Sequence, residues 1–416
     1  MDHKDITYFF LSLGVILIFS RLLAEIFKLI KMPSVVGEIV AGIILGPTIL
    51  GYFFPNTFDL LFPFVNYPEA YNSVSIAMDS IISISLVMLL FVAGLEVQLP
   101  MVIERGKNAL IITFFGMLIP ICAGYAVVWS LPDMFVINDS FDKNTYSLFI
   151  GIVLSITALP VIARIMMDMN IFKTRMGMTI IASAMVIDLL GWLIFSVILS
   201  VIDSSAEKKS IWQTVISIIS FGSIMLTVGT KIVNSGLPWV QSKFSWPGGV
   251  LSLSLGSCFL ASAFTESIGV HSVLGAFIMG ITIGDSVNLK NKTNEIIHQF
   301  INNVFAPIFF VSIGLYVNFI ENFDIKLICI ILIISYLSKI LGSKIGSSVG
   351  GIRGKEGWAI AMAMNTHGAL EIILATLALE AGLINSQLLV AIVITVILSI
   401  ITTVPLLKAF LPKKIE

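Results

Sequence analysis

Asp188 sits in the middle of the apolar run 176–195, several helical turns from the nearest charge on either side along the chain. A carboxylate at such a depth cannot snorkel to water. Ionisable groups in the hydrocarbon layer cost roughly 3 kcal/mol or more, so each needs a partner or a purpose. Desolvation favours the protonated form of a buried acid, and a nearby positive charge favours the ionised form. An acid held between these influences is suited to a site where a proton and a metal cation compete. The plainer reading, an aspartate paired with a lysine to hold helices together, carries less weight, because burying an ion pair is weak evidence of stabilisation. Lys339, a little past the middle of the apolar stretch 330–342, is the natural counter-charge. Its alternative is to snorkel, stem in the bilayer and ammonium at the surface.

Two segments place polar groups and helix breakers beside these charges. In the run 155–161, Pro160 follows Thr157 inside an apolar sequence, and a proline there removes a helix hydrogen bond and bends or breaks the helix. In the run 364–371, Asn365, Thr366, His367, Gly368 and Glu371 interrupt another. Broken helices at mid-membrane leave carbonyls and positive N-terminal ends free to bind ions. Asp188 and Thr157 are therefore the expected ligands of a proton or a metal cation, Thr157 through its hydroxyl or carbonyl oxygen. Lys339, Glu371, His367 and Asn365 are expected to compensate or tune the charge, and Pro160 and Gly368 to make the breaks. Glu96 and Arg105, and Arg164 and Asp168, read as interfacial or structural. Glu38 and Glu266 read as deeper groups that could line a water-filled path. His3, His271 and His298 show no metal-ligand spacing, and no HExxH motif, phosphate-binding glycine loop or nucleophile elbow occurs. With no paired catalytic groups, no catalytic residue is assigned and an enzyme is not expected.

The elements that must position these residues follow from composition. The chain has 416 residues, 57% hydrophobic and only 12% charged, about half the charge of a soluble domain, where roughly 25% is usual. The apolar residues recur as runs long enough to cross a hydrocarbon layer about 30 Å thick. About thirteen transmembrane helices are predicted, near 6–28, 34–54, 74–97, 108–131, 146–166, 177–202, 211–233, 248–267, 270–286, 300–318, 325–346, 356–380 and 384–411. Cys122, Cys258 and Cys329 all fall in such runs and read as buried small apolar residues. The start of the chain lacks a basic segment and cleavage site, so the first helix is expected to be retained. Short loops predict one membrane transport domain over 1–416 with no soluble regulatory domain. One set of alternating loops, with the C-terminal tail, carries 16 Lys and Arg against 5 in the other. The N-terminus is thus expected outside and the C-terminus in the cytoplasm.

An internal repeat supports transport. Gly37, Gly42 and Gly46 match Gly275, Gly280 and Gly284 at constant offset, and Gly94-Leu95-Glu96-Val97 matches Gly314-Leu315-Tyr316-Val317. Glycine is common in membrane helices, but three in one register followed by a second match in order is a stronger pattern. The copies begin seven spans apart, as do the two broken helices. An odd separation makes the repeats inverted, about 34–202 and 270–411, with 211–267 as linker helices; inverted repeats are a plan of secondary transporters.

The segments 33–47, 91–96, 157–164 and Asn365-Thr366-His367-Gly368 together resemble the monovalent cation:proton antiporter-2 family, which includes bacterial Na⁺/H⁺ and K⁺/H⁺ exchangers. The resemblance runs from the first span to the last. It implies an all-α, NhaA-like antiporter fold, with two crossed broken helices in a core beside a dimerisation domain, working by an elevator-like shift. It places the family's ion-binding aspartate on Asp188, the broken-helix motif on Thr157 to Pro160, and the buried lysine on Lys339. It further implies a homodimer in a bacterial inner membrane, with monovalent cations and protons as partners, no nucleic acid, and no cofactor beyond the transported Na⁺ or K⁺ and H⁺. Many electrogenic members carry two adjacent acids in the sixth helix, where this chain has Ile187 before Asp188. A single carboxylate holds one proton or one monovalent cation, so electroneutral exchange is expected. His367 stands where relatives often have arginine, and a histidine can titrate near neutrality. The alternative reading is an ion-coupled carrier of an organic solute on the same fold.

Overall fold

A computed structural model describes residues 3–30, 32–97, 106–135, 142–169, 171–172, 174–202, 211–244, 247–286 and 291–411. The described residues are helical with short connections. Among the described residues, eleven helical stretches are long and apolar enough to cross a membrane, one of which, 354–380, is interrupted at 365–368. Two more of the predicted spans are helical in a different form: one is interrupted, and one, Ser272–Gly284, is short. Helix 211–243 runs past its predicted end at 233, continuing through a π-helical turn at Met225–Gly229 into Thr230–Lys243. Lys231 therefore lies within a helix and not in a loop.

The chain divides into two compact units, each discontinuous in sequence. The first comprises Met1–Val97 and Trp212–Asn322. Its helices are α1 (His3–Leu29), α2 (Ser34–Leu45), α3 (Asn72–Leu95), α8 (Ile211–Ile224), α9 (Thr230–Lys243), α10 (Gly248–Ser267), α11 (Ser272–Gly284) and α12 (Asn291–Tyr316). Helix α1 shows how membrane solvent inverts the usual pattern. Its buried stripe is Ser12, Ile16, Ser20 and Ala24, one residue per turn, while Phe10, Ile18 and Leu22 are exposed. Small side chains let helices approach, and the large apolar ones face an apolar medium.

The repeat glycines are used in the same way in both copies. Gly42 of α2 meets Gly314 of α12, and Gly280 of α11 meets Gly94 of α3; a β-carbon at Gly280 would lie 2.9 Å from the α-carbon of Gly94. Each matched segment of one copy thus packs backbone to backbone on a matched segment of the other. Tyr316 reinforces the unit by donating its hydroxyl to Asp79 at 3.2 Å.

The second unit comprises Gln98–Ile211 and Phe323–Glu416. It contains α4 (Gly106–Ser130), α5 (Lys143–Ser155), α6 (Leu159–Asp168), α7 (Arg175–Ile202), α13 (Ile325–Val349), α14 (Gly354–Met364), α15 (Ala369–Glu380) and α16 (Ser386–Phe410). Helix α13 buries Ser335, Ser338, Lys339, Gly342, Ser343, Gly346 and Ser347 and exposes Ile333, Leu337, Leu341 and Ile345. Gly342 and Gly346 receive α4, where added β-carbons would come 3.3 Å from Ile119 and 2.8 Å from Ile112. Helix α7 is tied to α4 by Thr113, which donates to the Ser183 carbonyl at 3.1 Å.

Several sequence expectations need correction here. Cys258 is buried, but Cys122 and Cys329 are exposed; an apolar run in a membrane helix has an outward face that is also apolar. Glu266 is exposed and accepts from the Ser272 amide at 2.8 Å, so it caps α11 and does not line a deep path. Glu38 is deep, 4% exposed in α2.

Candidate functional site

The site is built where two helices stop halfway. Helix α5 ends at Ser155 with Ile156 extended (φ −74°, ψ 153°), and α6 begins at Leu159. Pro160 falls in the first turn of α6, where its missing N–H would have had no intrahelical acceptor. The proline therefore starts the second half-helix and does not kink a continuous one; its ring lies outside the described side chains. Helix α14 ends at Met364, and α15 begins at Ala369 after Gly368.

The two gaps lie against each other. The Ala158 amide donates to the Thr366 carbonyl at 2.8 Å, and the Thr157 hydroxyl donates to the Met364 carbonyl at 2.9 Å. Half-helices leave end carbonyls and amides unpaired, and each gap thus satisfies part of the other. Gly368 is extended (φ −172°), a conformation open to any residue, so its requirement is one of space. An added β-carbon would run into that of Ala158 and lie 3.4 Å from Cγ2 of Val161.

The predicted side chains gather around this crossing. Asp188 is 5% exposed, Thr157, Lys339 and Asn365 are fully buried, His367 is 1% exposed and Glu371 2%. None faces lipid. Gly191, one turn beyond Asp188 on α7, packs on Ile156, with an added β-carbon 3.2 Å from Cγ1 of that residue. Residues three apart share a helix face, so Asp188 lies on the side of α7 turned toward the first gap. Ile187 is fully buried on another side, its Cδ1 beside Gly116 of α4.

Lys339 does not snorkel. Its ammonium donates to the Ser155 carbonyl at the end of α5, the negative end of that helix dipole. Glu371 lies in the first turn of α15, and His367 lies in the break just before Gly368. The imidazole Nδ1 is 2.6 Å from Oε1 of Glu371, Nε2 is 2.7 Å from the Ser335 hydroxyl, and the His367 amide donates to Ser399 at 3.1 Å. Asn365 differs from these. Both its Oδ1 and its Nδ2 are buried without a hydrogen-bond partner.

Sequence reasoning missed the part of Ser335. Serine at one position of an apolar helix carries no signal, and only its spacing of one turn from Lys339 hinted at a shared face. Of the residues read as structural, Glu96 lies 3.8 Å from Nδ1 of His298, and His271 caps α11. Arg105 and the side chains of Arg164 and Asp168 lie outside the described residues. Among the described residues, no cluster of three or more His, Cys, Asp or Glu is arranged to hold a metal.

The chain matches the model for the family described as sodium/hydrogen exchanger, transmembrane, over residues 14–409. It is 27% identical over 411 residues to Cation/H(+) antiporter 20 of Arabidopsis thaliana, covering 95% of this chain and 47% of that protein. The chain thus spans about half the length of the first relatives it matches. It is also 27% identical to Na(+)/H(+) antiporter NhaS4 of a Synechocystis species, covering 99% of each, and 26% identical to Na(+)/H(+)-K(+) antiporter GerN of Bacillus cereus, covering 96% of this chain and 95% of that one. Its fold is similar to that of the sodium proton antiporter MjNhaP1 from Methanocaldococcus jannaschii, with a TM-score of 0.69 at 18% identity over 97% of this chain and 96% of the other.

Proposed function

From the premise that the chain belongs to the transmembrane sodium/hydrogen exchanger family, we propose that it exchanges a monovalent cation, Na⁺ or K⁺, for a proton, with Asp188 carrying each in turn. The observation that carries this reading is a buried aspartate on the helix face turned to a gap in α5–α6. Oxygen atoms suit alkali cations. Asp188, Thr157 and the Oδ1 of Asn365 are the side-chain oxygens offered for this. The Asn365 amide supports the reading further, because a fully buried amide with neither atom bonded is destabilising unless something else occupies it.

In this mechanism a cation displaces the proton of Asp188 on one side of the membrane, and the reverse exchange occurs on the other after access alternates. One carboxylate accepts one positive charge at a time, so the exchange is electroneutral. Relatives named as cation/H(+), Na(+)/H(+) and Na(+)/H(+)-K(+) antiporters favour this over transport of an organic solute. The family is one of transporters, not of enzymes. We place the protein as a homodimer in a bacterial inner membrane, N-terminus outside and C-terminus inside. The purified protein in liposomes should collapse a pH gradient on addition of Na⁺, K⁺ or Li⁺, and Asp188→Asn should abolish the response in an otherwise folded protein. Exchange that persists in Asp188→Asn removes the site.

A further inference from the structure

The gap between α14 and α15 spans residues 365–368. A gap has no intrahelical ladder to fix its backbone, so its shape depends on bonds to other elements. Thr157 and Ala158 supply two, to the Met364 and Thr366 carbonyls. His367 makes three more, each to a different helix. Its amide donates to the Ser399 hydroxyl oxygen of α16, its Nε2 is bonded to Ser335 of α13, and its Nδ1 is bonded to Glu371 of α15. Ser399 in turn donates to the Val396 carbonyl, which leaves its lone pairs for the His367 amide. Both ring nitrogens are engaged, so neither the imidazole nor the backbone that carries it can turn without breaking a buried bond. Asn365 lies two residues earlier, and neither polar atom of its side chain is bonded. The place of its amide is therefore set by the backbone of the gap.

We propose that His367, held by Ser335, Ser399 and Glu371, is the positioning residue of this gap and presents Asn365 to the transported cation. It touches no ion in this scheme and acts through Asn365. The brace itself follows from the bonds, and its effect on transport rests on the exchange reading above. Ser335 and Ser399, both fully buried, then serve cation binding at one remove. A brace that served stability alone would lower the melting temperature when cut and leave the KM for cation where it was.

Ser335→Ala and Ser399→Ala test it, with Ser338→Ala as the control, since Ser338 donates to the Ser335 carbonyl of its own helix. In liposomes, each of the two brace variants should raise the KM for Na⁺ or K⁺ by about fivefold, the worth of one hydrogen bond. Ser338→Ala should keep the wild-type KM. In an Asn365→Leu background, Ser335→Ala should add no further rise, because the group through which it acts is gone. An unchanged KM in both brace variants, an equal rise in Ser338→Ala, or a rise that multiplies with that of Asn365→Leu overturns the proposal. Amide hydrogen exchange on the same proteins in detergent reads the brace directly. Residues 365–368 should lose protection in Ser335→Ala and Ser399→Ala and keep it in Ser338→Ala; equal protection in all of them overturns the brace. If Ser335→Ala does not fold, Ser399→Ala carries both measurements. Absence of exchange by the wild-type protein would defeat the proposed function instead, and hydrogen exchange would still decide the brace.

Discussion

At the scale of single residues, the site divides into groups that support the structure and one that does not. Thr157, His367, Ser335 and Lys339 all make hydrogen bonds within the second unit. Asn365 makes none with its side chain. Replacing a buried, unsatisfied amide by an apolar group of similar shape is neutral or stabilising. Asn365→Leu should therefore leave the melting temperature unchanged or raise it, while the KM for cation rises by about tenfold. A fall in stability with unaltered transport would make Asn365 a structural residue. The sequence marked Asn365 as a group expected to tune the charge of the site, in a polar stretch beside a glycine. That it lacks a partner was not legible, because partners are supplied by helices far away in the chain.

At the scale of elements, the breaks in α5–α6 and α14–α15 are the decisive features. Both were readable as candidate breaks from local chemistry, a proline in one and a polar, glycine-containing stretch in the other, although Pro120, Pro307 and Pro405 lie inside continuous helices. The mutual bonding of the gaps was not readable. It depends on the Ala158 amide reaching Thr366 and on Gly368 admitting Ala158. Gly368→Ala should force the gaps apart. Overpacking of this kind typically costs about 1–3 kcal/mol, seen as a lower melting temperature, and the exchange rate should fall with it. Wild-type stability and flux in this variant would mean that the contact yields easily and the crossing is not held by space. The glycine pairs Gly42 with Gly314 and Gly94 with Gly280 obey the same rule in the first unit. There the repeated register had pointed to symmetry, and the structure adds that matched segments pack on one another.

At the scale of the molecule, charge accounting links the site to transport. A site whose single exchangeable acid carries one positive charge at a time, a proton one way and a monovalent cation the other, moves no net charge per cycle. At fixed ion gradients, the exchange rate in liposomes should not respond to an imposed membrane potential, as one elementary charge crossing 100 mV would change the energy by about 2.3 kcal/mol. A rate that follows the potential would show a second charge on the move and would end the one-for-one scheme.

Composition and the order of apolar runs determined by themselves that this chain crosses a membrane many times, where two of its helices break, and that Asp188 is buried in mid-span. Those properties are local, written in runs of side chains and in residues that cannot continue a helix. Only the tertiary structure decided how the two broken helices meet and which groups the buried polar side chains bond. The Thr157 hydroxyl and the Ala158 amide reach the carbonyls of Met364 and Thr366, and Glu371 is bonded to His367, which is bonded to Ser335 of α13. Such matching depends on the rotation and approach of packed helices, which no stretch of sequence specifies alone.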